Sequence, residues 1–277
     1  MAAAKLKPKV PSGRKAVVVL PARKAKAPLR NAATPPQSAA LAKPKVKPGA
    51  AAKRGARLKI SPKELFEKLH QRHADAHCEL DHSNPFELVV ATVLSAQSTD
   101  VMVNKITKDL FVRWPTPQSL AAAEPAEVEQ ALNRIGMFRQ KTKNIIGLAQ
   151  KLVSDHAGLV PRTLAELVKL PGVGRKTANV VLGVAFNSPE GVVVDTHVQR
   201  LSQRLGLTKH VDPPEIEQDL MRQFSQSDWD MLSHVLIFHG RRICSAIKPA
   251  CDACPVNTDC PSAFHAEQIG RKPGRTR

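Results

Sequence analysis

An all-α fold is what this chain predicts, on three observations. Apolar residues recur at helical spacing through most of residues 61–243, capping residues stand where those stretches begin, and no period-two run or hairpin turn interrupts them. Ser61-Pro62-Lys63-Glu64 reads as a capping box with proline at the first helical position; it opens a helix over 61–78 with Leu65, Phe66 and Leu69 on one face. Pro85 opens an apolar helix through Val89, Val90, Val93 and Leu94. Thr99 or Asp100 caps the next, which carries Val103, Ile106, Leu110 and Phe111. Pro125 to Ile135 is stopped by Gly136, and Phe138 to His156 is longer, with Ile145, Ile146, Leu148, Leu152 and Val153. A short helix over Thr163–Leu170 runs into Pro171, Gly172 and Gly174, and another starts at Arg175 or Lys176 and ends about Phe186. Thr196–Leu205, Pro214–Phe224 and Asp228–Ile243 complete roughly ten helices with short links.

The 277 residues, 42% of them hydrophobic, suffice for one or two cores. No apolar run approaches the roughly 20 residues needed to cross a bilayer, and Ala16–Leu20 is too short for a secretory core. The net charge of +18 is unevenly placed. Residues 1–57 hold 15 Lys and Arg and no Asp or Glu, leaving 27 basic residues against the 24 acidic ones in the remainder. This tail is rich in Ala, Lys and Pro and is expected to be disordered, because so little apolar surface cannot offset chain entropy. A solubilising extension is one reading; a polycationic arm adding salt-sensitive DNA affinity is the favoured one. Its repeated Lys-Pro pairs fit an amphipathic mitochondrial targeting helix badly. Five cysteines, four of them near the C-terminus, argue against a disulfide scaffold and for a metal or cluster site in a reducing compartment.

Chemistry concentrates in Leu170–Arg200. Gly172 and Gly174 permit a tight inter-helix turn and a close backbone approach, and the amides at the next helix start can take an anion such as a DNA phosphate. As turn residues alone they would be unremarkable. Lys176 stands on the first turn of that helix, where most lysines are merely solvated. There the dipole disfavours a cation by about 0.3–1 kcal/mol. Desolvation and Arg175 beside it add to that, favouring the neutral amine a nucleophile requires. Asp195 reads first as the N-cap of Thr196–Leu205, a role compatible with catalysis because a capping carboxylate is held in place. His197 is a candidate contact to DNA or to these groups. The pattern Cys244-x6-Cys251-x2-Cys254-x5-Cys260 suits zinc or an iron–sulfur cluster, with zinc the safer guess on spacing alone. Cys78 reads as a small helix-packing residue, and His70, His73 and His77 as a solvated helix face.

Taken together, Leu170–Gly183, Val194–Arg200 and the cysteine spacing resemble the helix-hairpin-helix, the following aspartate segment and the [4Fe–4S] loop of the endonuclease III family of DNA repair glycosylases. The resemblance runs from about Ser61 to Cys260. It implies a helix-hairpin-helix glycosylase fold of two helical domains with a DNA groove between them. A helical barrel would occupy 79–189, and a discontinuous cluster domain 58–78 with 190–277. It implies a bifunctional DNA glycosylase and AP lyase that excises oxidised pyrimidines from duplex DNA. Lys176 would be the nucleophile that forms a Schiff base with the sugar, followed by β-elimination, and Asp195 the catalytic carboxylate. Cys244, Cys251, Cys254 and Cys260 would ligate a [4Fe–4S] cluster of mainly structural role, with Lys248 in a basic loop against the phosphate backbone. Gly172, Gly174 and Arg175 would contact DNA. Gln97 would fill the space left by the extruded base, and Met137 would act as an apolar wedge, a position more often leucine in the family. Asp100 matches a buried structural aspartate without a catalytic role. The partner expected is double-stranded DNA holding damaged bases or abasic sites, met by a monomer. In a bacterium that means a cytoplasmic, nucleoid-associated protein, with a nuclear or mitochondrial setting less favoured. Two alternatives remain: a monofunctional mismatch glycosylase of the same superfamily, which would lack a lysine at 176, and a non-catalytic DNA-binding protein whose hairpin only grips phosphates.

Overall fold

The computed structural model describes residues 58–270; the basic tail 1–57 lies outside them. Among the described residues there are eleven α-helices and no strand, in agreement with the predicted class. They are α1 (Pro62–Arg72), α2 (Pro85–Leu94), α3 (Asp100–Arg113), α4 (Pro117–Ala121), α5 (Pro125–Leu132), α6 (Phe138–His156), α7 (Leu164–Leu167), α8 (Arg175–Phe186), α9 (Thr196–Arg204), α10 (Pro213–Gln223) and α11 (Trp229–Arg242). Among the described residues no helix is long and apolar enough to cross a membrane.

Start signals behave as the residues dictate. Ser61 Oγ accepts from Glu64 N at 3.2 Å, while the Glu64 carboxylate pairs with Lys68 instead of closing the box. Asn84 and Thr99 cap α2 and α3 through their side chains. The sequence reading missed α4, whose capping box is Thr116 with Ser119. The predicted helix over 61–78 is shorter than expected: α1 stops at Arg72, and His73 caps it with its N–H on Leu69 O. The reason is packing. Ala76 belongs to one core and Leu80 to the other, so residues 73–84 must cross between them as an irregular segment.

Two hydrophobic cores result. One is built from Leu80 through Leu182 and includes the apolar faces of α2, α3, α5, α6 and α8; Cys78 packs against it from the crossing segment, not from a helix. The other combines Leu65 and Leu69 of α1 with Val192–Val256, so a short N-terminal piece completes a C-terminal unit. Each fully buried Leu, Ile or Val contributes about 1.5–3 kcal/mol. Helices α2 and α8 pack together in the first core, and α9, α11 and α1 in the second.

Candidate active site and cysteine centre

Leu170 and Val173, both buried, anchor the α7–α8 turn from inside the first core and leave Gly172 and Gly174 exposed. The two glycines differ in what surrounds them. Gly172 has φ 77°, and a Cβ there would lie 2.9 Å from Asn144 Nδ2. Gly174 has an ordinary φ of −94°, and a Cβ would meet nothing within 4 Å. Neither backbone nor packing demands glycine at 174, so the space is kept open toward solvent. Gly174 caps α8 without a side-chain hydrogen bond, which leaves bare amides at the positive end of the dipole.

Lys176 is exposed on the first turn of α8. Asp195 caps α9 as predicted, and both bonds fall on Oδ1: from His197 N at 2.7 Å and from Val198 N at 2.8 Å. One carboxylate oxygen is thus fixed by the helix. Lys176 and Asp195 act on the same neighbours. Burial raises the Asp100 carboxyl above its usual range, Lys176 pulls it back, and Asp195 adds to the rise. Burial lowers the His197 imidazole from its ordinary 6.5, with Asp195 opposing and Arg200 and Lys176 among the charges that reinforce it. Amine and carboxylate therefore share one field. Asp100 also accepts from Arg241 at 3.0 Å.

Arg175 has a protein partner that the sequence did not show. Its guanidinium donates from Nε at 2.8 Å and Nη2 at 3.0 Å to Glu217, a carboxylate only 5% exposed. The pairing offsets its charge while the Arg175 side chain itself stays exposed.

Gln97 and Met137, both exposed, sit at φ 55° and 57°. Six described non-glycine residues have positive φ; Ala157 and Asn187 are ordinary left-handed helix caps. The other four are Gln97, Met137, Lys248 and Phe264. Three of them are residues expected at DNA, and strained backbone gathers at functional positions. Lys248 is exposed, and its N–H is held by Glu267 at 2.8 Å.

The four cysteines of the C-terminal pattern line one cavity of about 20 Å³. Three sulfurs have nitrogen partners: Arg204 Nη1 donates to Cys244 at 3.4 Å, Phe264 N to Cys251 at 3.3 Å, and His239 Nε2 stands 3.5 Å from Cys254. Burial pushes the Cys254 and Cys260 thiols up to about 11, so a bound metal would have to displace their protons. Arg204 is 0% exposed, and among the described residues its side chain bonds to the carbonyls of Cys244, Ser245, Ala246 and Ile269 and to the Cys244 sulfur. A buried cation without an anion costs several kcal/mol, and among the described residues the cysteines beside Arg204 are the groups that could become anions on losing their protons. Among the described residues no three His, Cys, Asp or Glu side chains stand close enough to share one metal ion.

Sequence reasoning missed the residues behind this front. His73 and His239, each 1% exposed, bond Nε2 to Nδ1 at 3.0 Å, which corrects the solvated-face reading of His73. Arg200 reaches from beside His197 to Cys244 O at 3.1 Å.

Comparison with known proteins identifies the family. The family model described as HhH-GPD superfamily base excision DNA repair protein matches residues 90–226. The chain is 50% identical over 200 residues to the endonuclease III of Synechocystis sp., covering 72% of this chain and 91% of that one. It is 49% identical over 196 residues to that of Bacillus subtilis, covering 70% and 89%. Among solved structures, a trapped endonuclease III–DNA covalent intermediate superposes with a TM-score of 0.69 at 44% identity, covering 74% of this chain and 95% of the other. On identity at that level across nearly the whole length of its relatives, the chain belongs to the endonuclease III family.

Proposed function

We propose that the chain is a bifunctional DNA glycosylase and AP lyase of base excision repair, with Lys176 as nucleophile and Asp195 as its carboxylate partner. The observation that carries this reading is an exposed Lys176 on the first turn of α8 together with an Asp195 carboxylate fixed at the start of α9, both close enough to Asp100 and His197 to act on them. That a related endonuclease III was trapped in a covalent intermediate with DNA supports an amine nucleophile here. The amine attacks C1′ of the damaged nucleotide, the C1′–N bond breaks, and the base leaves. Ring opening gives a Schiff base between Nζ and C1′. Loss of a C2′ proton then expels the 3′ phosphate as the strand is cut by β-elimination. Asp195, fixed through Oδ1, stabilises positive charge on the sugar and accepts a proton from Lys176. Bare amides at the α8 start hold a backbone phosphate, and Gln97 and Met137 enter the stack where an oxidised pyrimidine is turned out. The two separate cores support the division into a barrel over 79–189 and a discontinuous domain of 58–78 with 190–277. The bacterial relatives support placement in the cytoplasm, on the nucleoid.

The cysteine centre fits a [4Fe–4S] cluster. Buried Arg204 calls for nearby negative charge, and N–H groups already face the sulfurs. One zinc ion would need its ligands gathered at about 2.3 Å. A cluster instead takes one thiolate per iron, which suits sulfurs spread around a cavity. When bound, the cluster supplies a rigid anionic anchor for Arg204 and for the loop bearing Lys248. Iron analysis with absorbance near ~400 nm checks this; bound zinc without that band would refute it.

Borohydride reduction on abasic duplex DNA tests the mechanism. The wild type should be trapped as a covalent adduct and Lys176→Ala should not. Asp195→Asn, which keeps a capping side chain, should bind DNA but release base about 10²- to 10⁴-fold more slowly. An undiminished adduct with Lys176→Ala would end the lyase proposal.

A further inference from the structure

Lys141 is a lysine in the wrong place for a solvated one. It shares the apolar stripe of α6 with Ile145, Leu148 and Leu152, and it is 3% exposed. Burial alone lowers its pKa, with no carboxylate acting on it. Its Nζ donates to Ser98 Oγ at 2.9 Å. Replacing a buried charge by an apolar side chain of like volume is often neutral or stabilising, so stability by itself gives no reason for this arrangement.

What the bond connects gives one. Ser98 follows Gln97, whose backbone is held at φ 55°. At the other end, Lys141 N donates to Met137 O across the first turn of α6, and Met137 is held at φ 57° with half its surface exposed. Lys141 thus touches both strained, exposed segments, its side chain holding Ser98 and its backbone the turn at Met137. We propose that Lys141 is a positioning residue for base extrusion: through Ser98 it fixes the Gln97 loop relative to the Met137 turn, so that both side chains enter the duplex as a unit. Ordering both loops before DNA arrives removes a cost that binding would otherwise carry. This rests on the reading that Gln97 and Met137 enter the DNA.

The test uses the full, metal-loaded protein. Lys141→Met keeps the unbranched stem and removes the donor; Ser98→Ala removes the acceptor at a surface loop. Under single-turnover conditions on a thymine glycol duplex, each should release base roughly 5- to 20-fold more slowly, the size of a coupling between touching side chains. The double variant should be no slower than the slower single one. β-Elimination on a preformed abasic duplex should change by no more than about twofold, within the range of distant, uncoupled changes. The fluorescence of 2-aminopurine opposite the lesion should rise less on binding than with wild type. Wild-type base release by Lys141→Met, additive effects of the two substitutions, or equal losses on both substrates would each overturn the proposal. Gln97→Ala separates the two levels. If that variant releases base normally, the reading of the loop is wrong. If it is slow while Lys141→Met is not, only the role of Lys141 falls.

Discussion

Asp195 caps α9 through one carboxylate oxygen and leaves the other outside the cap, so the helix start is compatible with the role proposed for it. His197, whose N–H is held by that cap, is placed by the same turn. Its Nδ1 accepts from Arg200 Nη2 at 3.2 Å, and burial keeps its pKa below 6.5. As pH falls through about 6.5, the unfolded chain binds a proton that the folded chain still refuses, so the stability present above that value is progressively lost. His197→Asn should flatten the decline of the urea midpoint between about pH 7 and pH 5, by at most about 1.4 kcal/mol per pH unit. An unchanged slope would mean that the folded protein protonates His197 freely. The helix-start position of Lys176, the capping role of Asp195 and the spacing of the four cysteines were legible because each is a local pattern. Lys141, His73, His239 and Arg204 were not, because their meaning lies in partners 166 residues away for His73 and 43 for Lys141. A signal did exist for Lys141: a cation in register with Ile145, Leu148 and Leu152.

Between α7 and α8, two glycines of one turn answer to different forces. A side chain at 172 would meet Asn144 and force a left-handed backbone on a non-glycine residue, whereas at 174 there is only open space. Gly172→Ala is therefore expected to cost about 1–3 kcal/mol of stability. Gly174→Ala should cost about 1 kcal/mol or less, as a poorer N-cap, yet weaken DNA binding about tenfold or more by obstructing a phosphate. Thermal unfolding and DNA titration of both variants decide this; equal stability losses would remove the special status of Gly174. Helix bounds followed local chemistry closely where a cap or a glycine marked them: α6 and α8 lie where the pattern put them. The end of α1 did not, because His70, His73 and His77 keep a helical spacing through a segment that tertiary packing pulls straight.

Over the whole molecule, charge and fold are separate matters. The remainder after residue 57 is only slightly basic, while the tail holds 15 of the 42 Lys and Arg. Deleting 1–57 should flatten the dependence of log affinity on log salt by about 0.9 for each phosphate that the tail neutralises, measured by titration at several salt concentrations. An equal slope would make the tail a bystander in DNA binding. The sequence by itself determined the helical class, the tight turn before Lys176, the capping carboxylate and the cysteine spacing, since each is written within a few neighbouring residues. Tertiary structure alone decided that Arg175 pairs with Glu217, that among the described residues Arg204 faces the cysteines without a carboxylate, and that the Lys141 amine reaches Ser98. Those are pairings between buried charges and distant partners, and the free energy of a buried charge depends on what surrounds it, not on where it stands in the chain.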